Sequence, residues 1–389
     1  MENLINLLKG FFSKSNIEAY LVGGSIRDMI LGQEIDDFDI AVNVDPLNFI
    51  EKLADELNYI ATPIGGNHGV VRLISHDKKE NVIDMTGFSK TVEEELKRRD
   101  FTINAIYCDI SGRVYDPLNG IEDLKNGIIQ FIGDPNQRIQ EDYLRILRYL
   151  RFFTQYNKNK FHDETTIKAI KKNLNGLTKI SKERILEELF KMMKLNNFSK
   201  LFEDEFCRLI ILSILPQLYN YNRIKVLNKI SYKIRKQINK MLLLSILIVD
   251  KTDNCDFFIY KYPISNEDKK RILFIKNCFK KYSLQYLFSK KNLLKLTYLT
   301  DKSSVIELLI FLIFIDPKRT NNIENLIYYI NEKTVPEFPI KAKFLKEKFN
   351  FLEGKQLGDA LKKLEKQWID NGFKIDKGNV KSFLNLKKI

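Results

Sequence analysis

The first 130 residues alternate short apolar runs with turns: AYLVGG (19–24), FDIAV (38–42), GVVRLI (69–74), NVIDMTGF (81–88), INAIYCDI (103–110) and VYDPLNG (114–120). Runs rich in β-branched and aromatic residues, bounded by Gly, Asn, Asp and Pro, predict strands. Between them, DPLNFIEKLADELN (45–58) predicts a helix. It starts at Asp45 with Pro46 in the first turn, and Leu47, Ile50, Leu53, Ala54 and Leu57 share one face. After Gly133 the period changes to 3.6. In DPNQRIQEDYLRILRYLRFF (134–153), Ile139, Tyr143, Ile146, Leu147, Leu150 and Phe153 recur at helical spacing. So do apolar positions in SKERILEELFKMMKLN, NKMLLLSILIVD, NEDKKRILFIKNCFKKY, SVIELLIFLIFID and DALKKLEKQWIDNGF. Pro216, Pro263, Pro317, Pro336 and Pro339 punctuate these segments. The expectation is an α/β head followed by an all-helical remainder, with no solenoid repeat.

At 389 residues the chain has room for two or three domains. Its longest apolar stretches, Met241–Val249 and Leu308–Ile315, fall far short of the ~20 residues that cross a bilayer. The N-terminus has no basic n-region and no small-residue cleavage site. Cys108, Cys207, Cys255 and Cys278 are widely spaced, and there are only three histidines, which argues against a zinc site or a disulfide framework. A cytoplasmic, multidomain protein with no membrane partner is expected. Charge is lopsided: residues 1–130 hold 13 Lys and Arg against 22 Asp and Glu, and residues 131–389 hold 51 against 28. The acidic part suits cations. The basic part suits a polyanion, nucleic acid being the commonest, although a lysine bias that only solvates helices has the same signature.

The chemistry concentrates in AYLVGGSIRDMILGQEIDDFDIAV (19–42). A strand runs into Gly23 and Gly24, and a helical pattern follows. Backbone N–H groups at such a turn suit an anion, and Arg27 on the first helical turn adds a forked donor for phosphate. A diglycine alone is also an ordinary tight turn. Asp37 and Asp39 stand two apart in a strand, so both carboxylates project to one side while Phe38 faces the core. Paired carboxylates repel unless a hard divalent cation is present, and Mg²⁺ favours a few carboxylates plus substrate phosphates. The plainer alternative is an acidic surface loop. Asp84, in NVIDMTGF, is the candidate third catalytic carboxylate, or else a strand-end residue starting a turn.

Farther on, VEEELKRRDFTINAI (92–106) begins as an amphipathic helix, ends in Arg98-Arg99-Asp100, and continues as a strand-like FTINAIYCDI. Asp100 is expected to hold the neighbouring arginine and aim it at a triphosphate or ribose. In IQEDYLRILRYLRF, Asp142 and Glu141 combine with Arg145, Arg148 and Arg151 into one charged stripe opposite the apolar one. Pairs such as Glu141–Arg145 add only ~0.2–0.5 kcal/mol on a solvated face. Asp and Arg side by side also present acceptor and donor edges that match a nucleobase.

Together these segments resemble the class II tRNA nucleotidyltransferase and bacterial poly(A) polymerase family, whose CCA-adding members build the tRNA 3′ end. LVGGSIRDMILG with DDFD, RRDFTINAI, DPLNGIEDLKNG with IGDPNQRIQEDYLRILRYLRF, and ISKERILEELFKMM occur in the family's order. The likeness is dense over residues 19–195 and faint afterwards, except for GKQLGDALKKLEKQWI near the end. It implies an α+β fold: a nucleotidyltransferase α/β head with a mixed or antiparallel sheet (1–130), then an all-α neck (131–200) and an all-α body and tail (201–389). It also implies that Asp37 and Asp39 carry the two catalytic Mg²⁺ ions of an in-line nucleotidyl transfer, with Asp84 as third carboxylate. Gly23, Gly24 and Arg27 would hold the triphosphate, and Arg99 would contact the nucleotide. Asp142 and Arg145 would pair with the incoming base, supported by Arg148 and Arg151. The substrates would be CTP, ATP and tRNA, joined without a nucleic-acid template. His68, His76 and His162 have no catalytic role in this reading.

Two departures stand out. Only Ser89–Val92 separate Phe88 from the Glu93–Arg99 stretch, where CCA-adding members carry a longer segment, and Ser89 stands where they carry Arg. Members lacking that segment resemble enzymes that add only the two cytidines and leave the A to a separate A-adding enzyme. The arginine-rich motif of the poly(A) branch is absent, which disfavours poly(A) synthesis. A non-catalytic RNA-binding protein that retains the fold is the remaining alternative.

Overall fold

The computed structural model describes residues 2–33, 35, 37–64, 69–76, 82–158, 161–349, 353–376, 378 and 380–384. His68 lies outside them. The chain divides into two compact units, Met1–Ile214 and Leu215–Ile389. The expected head and neck fall within the first.

That unit contains strands β1 (Ala19–Val22), β2 (Asp37–Val42), β3 (Tyr59–Ile64), β4 (Val70–Ser75), β5 (Val82–Gly87), β6 (Tyr107–Asp109) and β7 (Val114–Tyr115). Among the described residues they form one sheet in the order β3-β4-β5-β2-β1-β6-β7. β2 and β5 run parallel, and the other neighbours are antiparallel, so the sheet is mixed. Strand alternation sorts the two faces. Phe38, Ile40 and Val42 of β2 join Val71, Leu73, Ile83 and Met85 in the main core. Helices α1 (Glu2–Lys14) and α3 (Ile50–Leu57) cover that face with Leu8, Phe11, Phe12, Ile50, Leu53, Ala54 and Leu57. The opposite face keeps the charged residues of β2, β4 and β5. Between β1 and β2 lies α2 (Gly24–Ile30).

Several expectations need correction. The helix after Asp45 starts with a tight 3₁₀ turn over Pro46–Asn48, and the α-helical part begins only at Ile50. Leu47 sits in that turn, off the apolar stripe, and is 53% exposed. FTINAIYCDI is a strand only over Tyr107–Asp109; Thr102–Asn104 form a 3₁₀ turn. Its polar side chains find partners other than a ladder: Thr102 donates to Asp123 at 2.6 Å and Asn104 to Asp100 at 2.8 Å. The single helix expected through 134–153 is two, α6 (Pro135–Glu141) and α7 (Arg145–Tyr156), after α4 (Val92–Leu96) and α5 (Gly120–Asn126). Asp142 is extended (φ −153°, ψ 104°), and its carboxylate accepts from Leu144 N–H at 3.1 Å. The supposed charged stripe therefore spans a break. Elements of the head without a sequence expectation are α1, the edge strand β3 and α5.

The remaining helices of the first unit are α8 (Glu164–Asn173), α9 (Lys182–Met193), α10 (Lys200–Glu203) and α11 (Glu205–Ile214). The second unit is helical. Lys240–Ile248 and Lys302–Ile315 are apolar nearly all round and buried along most of their length, as central helices are. Buried Glu307 is matched by Arg271 and by the Asn239 amide, the latter at 3.0 Å. Among the described residues no helix is long and apolar enough to cross a membrane. All four cysteines are free and buried.

A polar chain ties the neck elements together. The Tyr149 hydroxyl meets His162 Nδ1 at 2.8 Å, His162 Nε2 meets Asp204 Oδ1 at 3.1 Å, and the same oxygen accepts from Cys207 N–H at 2.8 Å. The Phe153 ring stacks on the imidazole at 3.8 Å. Burial pulls the His162 imidazole below its ordinary range, and Asp204 only partly offsets this. Burial pushes Asp204 up, but the Cys207 N–H and His162 outweigh it and leave its carboxyl low. The unfolded chain therefore binds a proton at residue 162 at a higher pH than the folded chain. The stability tied to neutral His162 is complete above about pH 6.5 and is lost as pH falls below it. Thermal melts from pH 7.5 to 5 should show a falling Tm in the wild type and a flatter profile in His162→Gln. Parallel profiles would contradict the assignment.

Candidate active site

Two residues apart on β2, Asp37 and Asp39 share the face away from the core, with Asp37 exposed and Asp39 half-buried. In the parallel register Asp39 lies beside Asp84 of β5. Asp84 in turn faces Arg72 of β4, which grips it with a fork: Nε to Oδ1 at 2.7 Å and Nη2 to Oδ2 at 2.6 Å. Asp39 Oδ2 lies 3.3 Å from Arg99 Nη1. The Arg99 guanidinium rests against Gly23, whose φ is +75°; a Cβ there would come within 1.9 Å of Nη1. Gly23 is thus required by its backbone angle, and a Cβ there would also displace the Arg99 tip.

Arg27, on α2, is buried. Its Nε and Nη2 donate to the two oxygens of Asp28 at 2.9 and 3.0 Å, and Nη1 donates to Asn104 Oδ1. Its guanidinium lies 5.1 Å from the Phe152 ring centroid and 5.3 Å from that of Tyr156. Three donors are occupied by the protein, and one hydrogen on each Nη remains for a ligand.

The helical wall is equally interlocked. Asp100 does not hold Arg99, as its position in sequence led one to expect. It accepts instead from Arg148 Nε, from Asn104 at 2.8 Å and from Phe101 N–H at 3.0 Å. Burial pushes its carboxyl up, but Arg148 and these hydrogen bonds prevail and keep it below the ordinary carboxylate range. Arg145 Nη1 donates to Glu141 at 2.8 Å and to Arg138 O at 3.0 Å, and its Nη2 donates to Arg98 O at 3.0 Å. This pins the start of α7 to the Arg98–Asp100 segment. The second Asp142 oxygen accepts from Arg184 of α9 at 2.7 Å. Arg151 pairs with Glu188 of α9, which is 1% exposed, and stacks over Phe152 at 4.1 Å.

These groups line one cleft of about 550 Å³. It brings together Gly24, Arg27, Asp39, Arg99, Asp142, Arg145, Arg148 and Arg151. Asp37, Asp84 and Gly23 are not part of its lining. Asn104, Phe152, Arg184, Glu187, Glu188 and Lys191 line it without having been singled out from sequence, and Asp100, expected only to hold Arg99, lines it as well. Their signal was available in spacing: Asn104 follows Asp100 by four, and Glu188 follows Arg184 by four on α9. The lining carries seven cationic side chains against five carboxylates, a balance that favours a polyanionic ligand.

A second cluster of ligand-type atoms, His162, Asp204 and Cys207, lies within 4.8 Å of one another outside the cleft. Its hydrogen bonds already account for it: Asp204 caps the start of α11, and Tyr149 holds the imidazole.

A glycine turn beside a two-carboxylate strand, opening on an arginine-lined cleft, defines a nucleotidyltransferase. The family model described as "Poly A polymerase head domain" matches residues 19–88 and 79–130. The model "Probable RNA and SrmB- binding site of polymerase A" matches residues 162–219. The chain is 30% identical to the CCA-adding enzyme of Ligilactobacillus salivarius, over 91% of this chain and 89% of that protein. It is 29% identical to the mitochondrial CCA tRNA nucleotidyltransferase 1 of Mus musculus, over 97% and 88%. Its fold matches that of the Bacillus stearothermophilus CCA-adding enzyme in complex with CTP, with a TM-score of 0.70, 21% identity, and coverage of 99% of this chain and 96% of that one. The chain belongs to the CCA-adding family of tRNA nucleotidyltransferases.

Gly23→Ala should force Arg99 off Asp39 and cut nucleotide incorporation by about 100-fold, the scale of a 1 Å misplacement. Gly24→Ala places its Cβ 3.5 Å from Arg27, an ordinary contact, and should cost far less. Equal losses in a steady-state assay would contradict the steric argument.

Proposed function

We propose that this protein completes the 3′ end of tRNA, adding CMP and AMP from CTP and ATP without a nucleic-acid template. The supporting observation is that a single cleft joins Asp39 of β2 and its partner Arg99 to Asp142, between α6 and α7, and to Arg145 and Arg148 of α7. Its volume suits a nucleoside triphosphate. Family membership implies a divalent cation. We take it to be Mg²⁺, because the carboxylates on the β2 edge are hard oxygen donors and a triphosphate supplies more.

Asp37 and Asp39 would hold two such ions. When bound, one would lower the pKa of the primer 3′-hydroxyl and the second would stabilise the departing pyrophosphate. The 3′-oxygen attacks the α-phosphorus, and the bond to pyrophosphate breaks. The protein's own share is positioning and charge. Arg27, fixed by Asp28 and Asn104, offers its remaining hydrogens to the triphosphate beside Gly23 and Gly24. Arg99 exchanges Asp39 for a phosphate. Asp142 accepts from the exocyclic amino group that cytosine and adenine share, held in place by Leu144 N–H and Arg184. Arg145 turns its remaining donors to the ring acceptors. Arg148 and Arg151, locked by Asp100 and Glu188, keep that wall rigid. The basic remainder of the chain takes the tRNA phosphates. Free, buried cysteines suit a reducing compartment, and we place the protein in the cytoplasm.

A second reading, addition of cytidines alone, is favoured by one observation. β5 ends at Gly87 and α4 starts at Val92, so only Phe88–Thr91 connect them, with Ser89 in place of Arg.

The test uses purified protein, Mg²⁺, labelled CTP or ATP, and tRNAs ending before CCA, after C and after CC. Completion of CCA is expected. Addition of C without A selects the second reading. Long A tails on any RNA, or tRNA binding with no incorporation, overturns both. Asp39→Ala should abolish incorporation and spare tRNA binding; retained activity would refute its role. Changing Asp142 or Arg145 to Ala should blur the choice between CTP, ATP, GTP and UTP more than it weakens tRNA binding. An effect on tRNA affinity alone would remove the base-reading assignment. tRNA binding should fall steeply with salt.

A further inference from the structure

Arg72 is the cationic residue in an otherwise apolar strand pattern, GVVRLI, and the function proposed above gives it no task. Its place in the sheet is informative. A lateral row crosses four strands in register: Thr62 of β3, Arg72 of β4, Asp84 of β5 and Asp39 of β2. The row lies on the face away from the core, because Val71, Leu73, Ile83 and Met85 alternate inward. Asp84 thus stands between a guanidinium and the carboxylate proposed to hold the cation. Each of its oxygens accepts one hydrogen bond from the Arg72 fork. Asp84 holds the Arg72 guanidinium above its ordinary range, and Asp37 and Asp39 add to the effect. Arg72 therefore feels all three acids. Opposite charges facing each other across strands attract, and like charges repel. A parallel bidentate pair is the strongest form of that attraction.

We infer that Arg72 withholds Asp84 from the cation, so that Asp37 and Asp39 bind it without the third carboxylate. This rests on the metal role proposed for Asp39. For Asp84 to become a ligand, the cation would have to share its oxygens with the fork and sit beside the guanidinium, or the fork would have to open. The pair acts instead as a neutral unit, and Arg72 is a positioning residue: it fixes a charged neighbour and sets how many acids the cation meets. The site differs in this from one with three free carboxylates, in which each acid adds to cation affinity.

The test is direct cation binding, read by Mn²⁺ electron paramagnetic resonance on the whole protein without nucleotide, with Mg²⁺ as competitor. Arg72→Met frees Asp84 and should tighten Mn²⁺ at least threefold. Asp84→Asn leaves Arg72 unpaired beside Asp39 and should weaken it. The double variant Arg72→Met with Asp84→Asn removes the pair as a unit and should return within twofold of wild type. Asp39→Asn should weaken Mn²⁺ at least tenfold. If the double variant falls as far as Asp39→Asn, Asp84 is a ligand and the inference is overturned. If Asp39→Asn binds like wild type, the metal reading itself fails, a separate result. Should Arg72→Met alone not fold, as judged by its thermal melt, the double variant still decides.

Discussion

Like charges on adjacent strands repel, and this sheet places Asp37, Asp39 and Asp84 on one face with Asp39 and Asp84 in register. Neighbouring strands are only about 4.8 Å apart. The head is organised around offsetting that repulsion. Arg72 forks onto Asp84 from β4, and Arg99 reaches Asp39 past a turn that only glycine can make. The core on the other face, built by α1 and α3 on Phe38, Ile40 and Val42, anchors β2. A nucleotidyltransferase needs such a surface: carboxylates gathered for a cation, and cations close by that can be turned over to a triphosphate.

The same pattern of paired charges extends up the helical wall. Asp100 with Arg148, Arg184 with Asp142, and Arg151 with Glu188 each join residues distant in sequence. Asp100 and Glu188 are buried, so neither can part from its arginine without leaving a buried charge unpaired. Arg148 and Arg151 are fixed in this way, whereas the Arg184–Asp142 pair stays partly exposed. The wall's shape depends on Asp142 leaving the helix: were 134–153 continuous, the Asp142 carboxylate could not cap Leu144.

Much of this was legible in the chain. The two-residue spacing of Asp37 and Asp39 fixed their common side, and strand alternation fixed what lay opposite. The diglycine turn, Arg99 and the arginines of the neck also stood out as candidates. What stayed hidden has a common physical cause. Asp100 was expected to hold its neighbour Arg99, but its partner comes from Arg148, and local sequence carries no information on that choice. EDYLR has a helical period, and only the Asx-like capping of Leu144 reveals the break. β3 escaped notice because it is an edge strand with Pro63 inside it and Ile60 facing solvent, so its alternation is weak. Arg72 was passed over as a polar interruption of an apolar run, although its meaning lies one strand away.

Anomalous diffraction from crystals grown with Mn²⁺ and CTP bears most directly on the central claim. The account expects a manganese peak bounded by the Asp37 and Asp39 carboxylates, the triphosphate against Arg99, and the cytosine edge facing Asp142. A peak away from β2, or a base turned from the Asp142 wall while the protein remains active, would contradict it.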